Sequence, residues 1–81
     1  MDQSYIIVGI LVKEPKKAGT ELQNILTAYG CVIRSRLGIN NDKFKGGIII
    51  LDITGDEKEI ELLINKLNNL KGIEVHYMNF N

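Results

Sequence analysis

Four residue types that often carry chemistry are scarce or missing in this 81-residue chain. It has one cysteine (Cys31), one proline (Pro15), one histidine (His76) and no tryptophan. A lone cysteine excludes an internal disulfide framework and any paired-cysteine metal or redox motif. It fits a reducing compartment, so a cytoplasmic location is expected. A structural zinc site takes four ligands and a catalytic one takes three, and a single Cys31 with a single His76 supplies neither. No apolar run approaches the roughly 20 residues of a membrane helix. The opening MDQSYIIVGILV lacks the basic start and small-residue cleavage site of a signal peptide. Net charge is zero as well, which argues against direct nucleic-acid binding, as does the shortage of aromatic neighbours for the basic residues. There is no phosphate loop, no GxGxxG and no Ser-His-Asp set, so no catalytic site is expected.

What is present is strongly patterned. Residues 5–12, YIIVGILV, form a short β-branched run that reads as a strand buried on both faces. In the next segment Ala18, Leu22, Ile25, Leu26 and Tyr29 fall at helical spacing. Pro15 suits the first turn of that helix, and Gly30 its end. Gly19 weakens the start, so a late beginning is expected, with Thr20 and Gln23 as a capping box. Residues 31–38 alternate as a strand, and 39–47 make a polar turn. Residues 47–54 form a second buried strand. Thr54 and Glu57 suggest a capping box ahead of the stripe Ile60, Leu63, Ile64, Leu67 and Leu70, which Gly72 ends. Residues 73–80 alternate as the last strand.

One domain spanning 1–81 is expected, because the chain is too short for two cores. The order β-α-β-β-α-β is the ferredoxin-like pattern: an α+β sandwich, with a four-stranded antiparallel sheet in the order 4-1-3-2 and two helices on one face. This topology sorts the charges. Up to residue 47 the chain is +3, and beyond it −3. Lys13, Lys16, Lys17, Lys43, Lys45 and Lys71 fall in the three connections at one end, beside the first helix's N-terminus. Such a terminus favours anions, although loop lysines also serve solubility. The opposite end is acidic, with Glu57, Glu59 and Glu61 in the first turns of the second helix.

The second sheet face has no helices. With period two, Ile7, Gly9 and Leu11 face outward there, with Ile48, Ile50 and Asp52, and with Glu74, His76, Met78 and Phe80. Ile73, Val75 and Tyr77 face the helices. On the second strand Ile33 and Leu37 face inward, and Val32, Arg34 and Arg36 outward. A lone subunit would expose a large apolar patch, which soluble monomers seldom do. A homodimer or homotetramer is therefore expected, with Ile7, Leu11, Ile48, Ile50, Met78 and Phe80 in its interface. Arg34 and Arg36 would pair with Asp52 or Glu74, or join Lys13, Lys16 and Lys17 in binding a small anion. As rim charges they would instead blunt an edge strand. Cys31 reads as a small buried apolar residue.

Two resemblances follow from the residues. Pro15, Ile25, Leu26, Tyr29, Gly30 and Ile33 resemble the opening strand-loop-helix-strand of ACT domains, which are small regulatory modules of this fold. The glycine that normally follows the proline there is Lys16 here. A closer similarity spans nearly the whole chain. YIIVGILV, ILTAYGCVIRSRLGI and GGIIILDITGDEKEIELLINKLNNLKGIEV resemble the iron-only hydrogenase system regulators, short stand-alone ACT-like proteins. Those are also similar to the C-terminal domain of nickel-responsive repressors, whose paired histidines are missing here. The resemblance implies a homo-oligomeric regulator-like module whose ligand is unknown, and with no catalytic motif in the chain an enzyme is not expected. Two alternatives stand beside it: a metal sensor using Cys31 and His76 across subunits, and a purely structural protein-interaction module. The cofactor is left open.

Overall fold

A computed structural model describes residues 5–80, apart from the side chains at 41, 44 and 45. The elements run β1 (Tyr5–Val12), α1 (Pro15–Ala28), β2 (Ile33–Asn41), β3 (Phe44–Thr54), α2 (Glu57–Asn69) and β4 (Ile73–Phe80). Neighbouring strands are antiparallel throughout, in the order β2-β3-β1-β4. This is the 4-1-3-2 sheet expected from the sequence, read from the other edge.

The core lies between the helices and one sheet face. Ile6, Val8, Ile10 and Val12 of β1 and Leu51 and Ile53 of β3 meet Leu22 and Leu26 of α1 and Ile60, Leu63 and Leu67 of α2. Burying each of these side chains contributes roughly 1.5–3 kcal/mol. No charged or polar side chain is buried among the described residues, so the core carries no cost for uncompensated polar groups.

The helix starts differ from the expected ones. α1 begins at Pro15 rather than late, with Glu14 as its N-cap residue and no side-chain cap bond. Thr20 and Gln23 therefore lie inside the helix. Proline tolerates the first helical position because its missing N–H would have no intrahelical partner there. At α2 the cap is Asp56, not Thr54; its carboxylate accepts from the Lys58 amide at 2.8 Å. At its other end α1 stops as expected: Ala28 is its last residue, Tyr29 is the C-cap and Gly30 follows it, without a positive φ, while the Tyr29 carbonyl accepts the amides of Val32 and Ile33. The hairpin is tighter than expected, with only Asp42 and Lys43 between β2 and β3.

β2 brings the main correction. Its pairing with β3 shifts between Ile33 and Ser35, so Arg34 is an extra, bulged residue. A bulge resets which face the later side chains occupy. Beyond it Ser35, Leu37 and Ile39 pair with Asp52, Ile50 and Ile48 on the helix-free face, while Arg36 pairs with Leu51 on the helix side. Val32, expected outward, is buried in the core, and Leu37, expected inward, is exposed.

Candidate binding surfaces

The lysine-rich end is built where three connections meet. The Gly72 carbonyl accepts the amides of Lys13 and Glu14 at 2.9 and 3.0 Å. This ties the start of β4 to the entrance of α1. Gly72 has φ +91°, and a Cβ there would press on Ala18 and Glu14 at 3.3 Å. Only glycine fits that junction without strain. Lys16, Lys17 and Lys71 are exposed around it, and the Lys45 side chain lies outside the described residues. Lys13 leans the other way, with its ammonium 3.2 Å from the Glu74 carboxylate. The free amides expected of a helix N-terminus are few. Pro15 has none, and those of Lys17 and Ala18 both turn back onto the Glu14 carbonyl. An anion at this end would rest on the lysine side chains and the Lys16 amide.

The helix-free face is the larger feature. Ile7 and Leu11 on β1, with Ile48 and Ile50 on β3, are half-buried at its centre. Around them Tyr5, Leu37, Ile39, Met78 and Phe80 are exposed. Tyr5 and Phe80, paired across β1 and β4, have ring centroids 6.1 Å apart. The expected facing of β1, β3 and β4 matches this register. The bulge in β2 makes the patch more apolar than expected, since Leu37 and Ile39 stand on the face where Arg34 and Arg36 were anticipated.

The arginines and carboxylates do not pair as expected within the subunit. Asp52 accepts from the Ser35 hydroxyl at 3.1 Å and from the Tyr5 hydroxyl. The Asp52 hydrogen bond and negative charge hold the Tyr5 phenol above its ordinary range. Glu74 sits between His76, at 2.6 Å, and Lys13. The hydrogen bond from His76, then those from and charge of Lys13, hold its carboxyl below the usual range. Arg36 instead donates to the Gln23 side chain of α1 at 2.8 Å. Arg34 and Arg36 are thus separated by the bulge rather than set together on one face.

Cys31 is exposed, not buried. It lies in the turn between α1 and β2, with its sulfur 3.9 Å from a Glu59 carboxylate oxygen. His76 is on the helix-free face of β4, paired in register with Gly9. Among the described residues no three metal-ligating side chains cluster. A groove of about 370 Å³, which sequence reasoning missed, separates α1 from α2. Glu21, Asn24, Ile25, Tyr29, Glu59 and Lys66 line it. Its residues are scattered over two helices, and no local motif marks them.

The comparisons with known proteins bear on the whole chain. Residues 4–77 match the family described as "TM1266-like: Iron-only hydrogenase system regulator, putative". The chain belongs to that family. Among solved structures it is similar to the uncharacterized protein TM1266 from Thermotoga maritima, with a TM-score of 0.82 and 22% identity, covering 99% of this chain and 100% of that one. It is also similar in fold to a PII-like signaling protein from Thermus thermophilus. There the TM-score is 0.53 and the identity 11%, over 99% and 90% of the two chains. No curated protein matches it. The family membership agrees with the resemblance read from the residues, and the two structures share the ferredoxin-like fold.

Proposed function

We propose that this regulator-family chain is a small, non-enzymatic ACT-like module of the cytoplasm. In this reading it works as a homo-oligomer assembled through the helix-free sheet face, and it answers to a small anionic effector near Lys13, Lys16 and Lys17. The observation that carries the assembly is the face itself. Its four strands present Ile7, Leu11, Ile48, Ile50, Leu37, Ile39, Met78 and Phe80, with Asp52 and Glu74 as carboxylates among them, and both carboxylates are already hydrogen-bonded. A sheet of this size offers a face of roughly 20 by 25 Å. With side-chain relief, that area approaches the roughly 800 Å² per partner of a standard interface. A second copy related by a two-fold axis covers the patch with its own equivalent. The regulator family supports an effector, and the exposed lysines favour an anionic one.

Native mass spectrometry of the protein as purified from cells tests both parts. A dimer or tetramer carrying extra mass supports the reading, and that mass begins to identify the effector. A bare oligomer favours a purely structural interaction module. A bare monomer overturns the assembly. The double change Lys16→Ala and Lys17→Ala is expected to lower retained effector at least tenfold; unchanged retention moves the site away from this end.

A further inference from the structure

The groove between α1 and α2 lies on the helix layer, away from the helix-free sheet face. It holds about 370 Å³, which is within the range of small-molecule sites. An adjoining recess of about 270 Å³ shares Glu21, Ile25 and Lys66 with it and ends at Asn69 and Leu70. On α1 the lining residues follow helical spacing from Glu21 to Tyr29 and form one stripe. On α2 Glu59 and Lys66 lie two turns apart on one face.

The charges along this groove are ordered. Glu59 stands where α2 begins, and Lys66 near where it finishes, with Glu21 of α1 at that same end. Seven residues of helix set Glu59 and Lys66 about 10 Å apart. Among the described residues none of these three side chains forms an ion pair. Glu59 accepts only from the Cys31 thiol, at 3.9 Å, and a thiol is a weak donor. Ile25, Ala28 and Tyr29 make an apolar strip beside the charges, and the Asn24 amide can both donate and accept there. Two carboxylates, one ammonium and an apolar strip are complementary to a ligand with two cations, one anion and an apolar middle.

We infer that the groove binds a short peptide with free termini, about three residues long and basic at its last residue. An extended chain covers at most about 3.3–3.6 Å per residue, so three residues match the distance from Glu59 to Lys66. The terminal ammonium meets Glu59, the terminal carboxylate meets Lys66, and the basic side chain turns to Glu21. The middle side chain rests on Ile25 and Ala28, and Asn24 bonds a peptide group. A free basic amino acid has the same charges but a shorter reach and no peptide group for Asn24. A segment inside a longer protein lacks both terminal charges. This site rests neither on the sheet-face assembly nor on Lys13, Lys16 and Lys17, so its failure leaves the function proposed above intact.

The probe is the tripeptide Ala-Leu-Lys, titrated into the isotopically labelled full-length chain and followed by NMR. Saturable shifts are expected at the amides of residues 24–29 and 59–66. Acetylating its N-terminus, amidating its C-terminus or replacing its lysine by norleucine should each weaken binding about tenfold or more, since each removes one charged hydrogen bond. Variants then match each charge to its residue. Glu59→Gln should weaken the free peptide by the same factor and leave the acetylated one unchanged. Lys66→Met should do the same for the amidated peptide, and Glu21→Gln for the norleucine one. No saturable shift at about 10 mM peptide, tenfold above a weak millimolar dissociation constant, overturns the site. Capped peptides that bind as tightly as the free one also overturn it, as does free lysine binding as tightly as the tripeptide. Shifts confined to Lys16, Lys17 and Lys71 overturn it too, and assign the peptide carboxylate to the lysine-rich end. The comparison among peptides uses the wild-type chain, so it decides the matter even where a variant fails to fold.

Discussion

The two faces of this sheet are made of nearly the same residues and have different fates. On β1, Ile6, Val8, Ile10 and Val12 are buried under the helices, while Ile7 and Leu11 are half-buried on the other side. On β3, Leu51 and Ile53 are buried, while Ile48 and Ile50 are half-buried. The difference lies in the cover, not in the strand. α1 and α2 supply Leu22, Leu26, Ile60, Leu63 and Leu67 to one face, and no described helix covers the other. Aliphatic composition on a strand therefore signals burial without saying by what. Here one face is closed by the chain's own helices, and the other is the face on which the proposed assembly rests.

The sharpest way to break that comparison is to damage the covered face. Leu63 is fully buried between α2 and the sheet. Leu63→Ala is expected to cost about 2–5 kcal/mol, from lost transfer energy and the cavity left behind. In a core this small that is a large part of the total stability. The loss should be read by chemical denaturation at a fixed protein concentration. A change under about 1 kcal/mol would mean that the helix-covered face is not the main core.

The matching change on the open face is Ile50→Asp. It should leave the fold intact, since the side chain is only half-buried, and should weaken assembly instead. Removing a central apolar contact commonly costs about 2 kcal/mol or more at an interface. That corresponds to at least a ~30-fold rise in the dissociation constant. Sedimentation across a concentration series measures it. Unchanged assembly would show that this face is not the contact.

A third change concerns how β1 and the hairpin fit together. A Cβ placed on Gly46 would run into the Val12 carbonyl oxygen and crowd the Val12 side chain at 2.9 Å. Gly46→Ala is expected to destabilise by about 1–3 kcal/mol through overpacking. Thermal unfolding checks it, and a neutral result would mean the hairpin shifts freely away from β1.

The sequence made the central strands legible and the edge strand less so. β1 and β3 pair with each other in unbroken register, so the period-two facing chosen for Ile7, Leu11, Ile48 and Ile50 matches the structure, although both runs are apolar on either parity. On β2 the same rule failed at Arg34, because a bulge inserts a residue that periodicity does not anticipate. The segment CVIRSRLGI fits either facing. What decides is tertiary: Val32 fills the core, and its carbonyl accepts the Thr54 amide at 3.0 Å. Cys31 then lies in an exposed turn. The lysine-rich end followed from topology alone, since strand order fixes which connections meet. The α1–α2 groove did not, because its lining depends on helix packing that no spacing in the sequence encodes.

The smallest expected effect lies at the rim where the two faces meet the β4 edge. Glu74 accepts from His76 and pairs with Lys13, and these partners lower its folded-state value below that of an unfolded glutamate. A carboxyl lowered on folding stabilises the native state above its unfolded value. That contribution is lost as pH falls through the ordinary glutamate range and then through the lower folded value. Glu74→Gln removes the dependence. The wild type should therefore lose slightly more thermal stability than the variant between neutral and strongly acidic pH. The trio is largely exposed, so the difference should shrink in high salt. Parallel melting curves for the two proteins at low salt would show that the trio adds nothing to the fold. Any value it has would then lie in orienting Lys13 at the lysine-rich end.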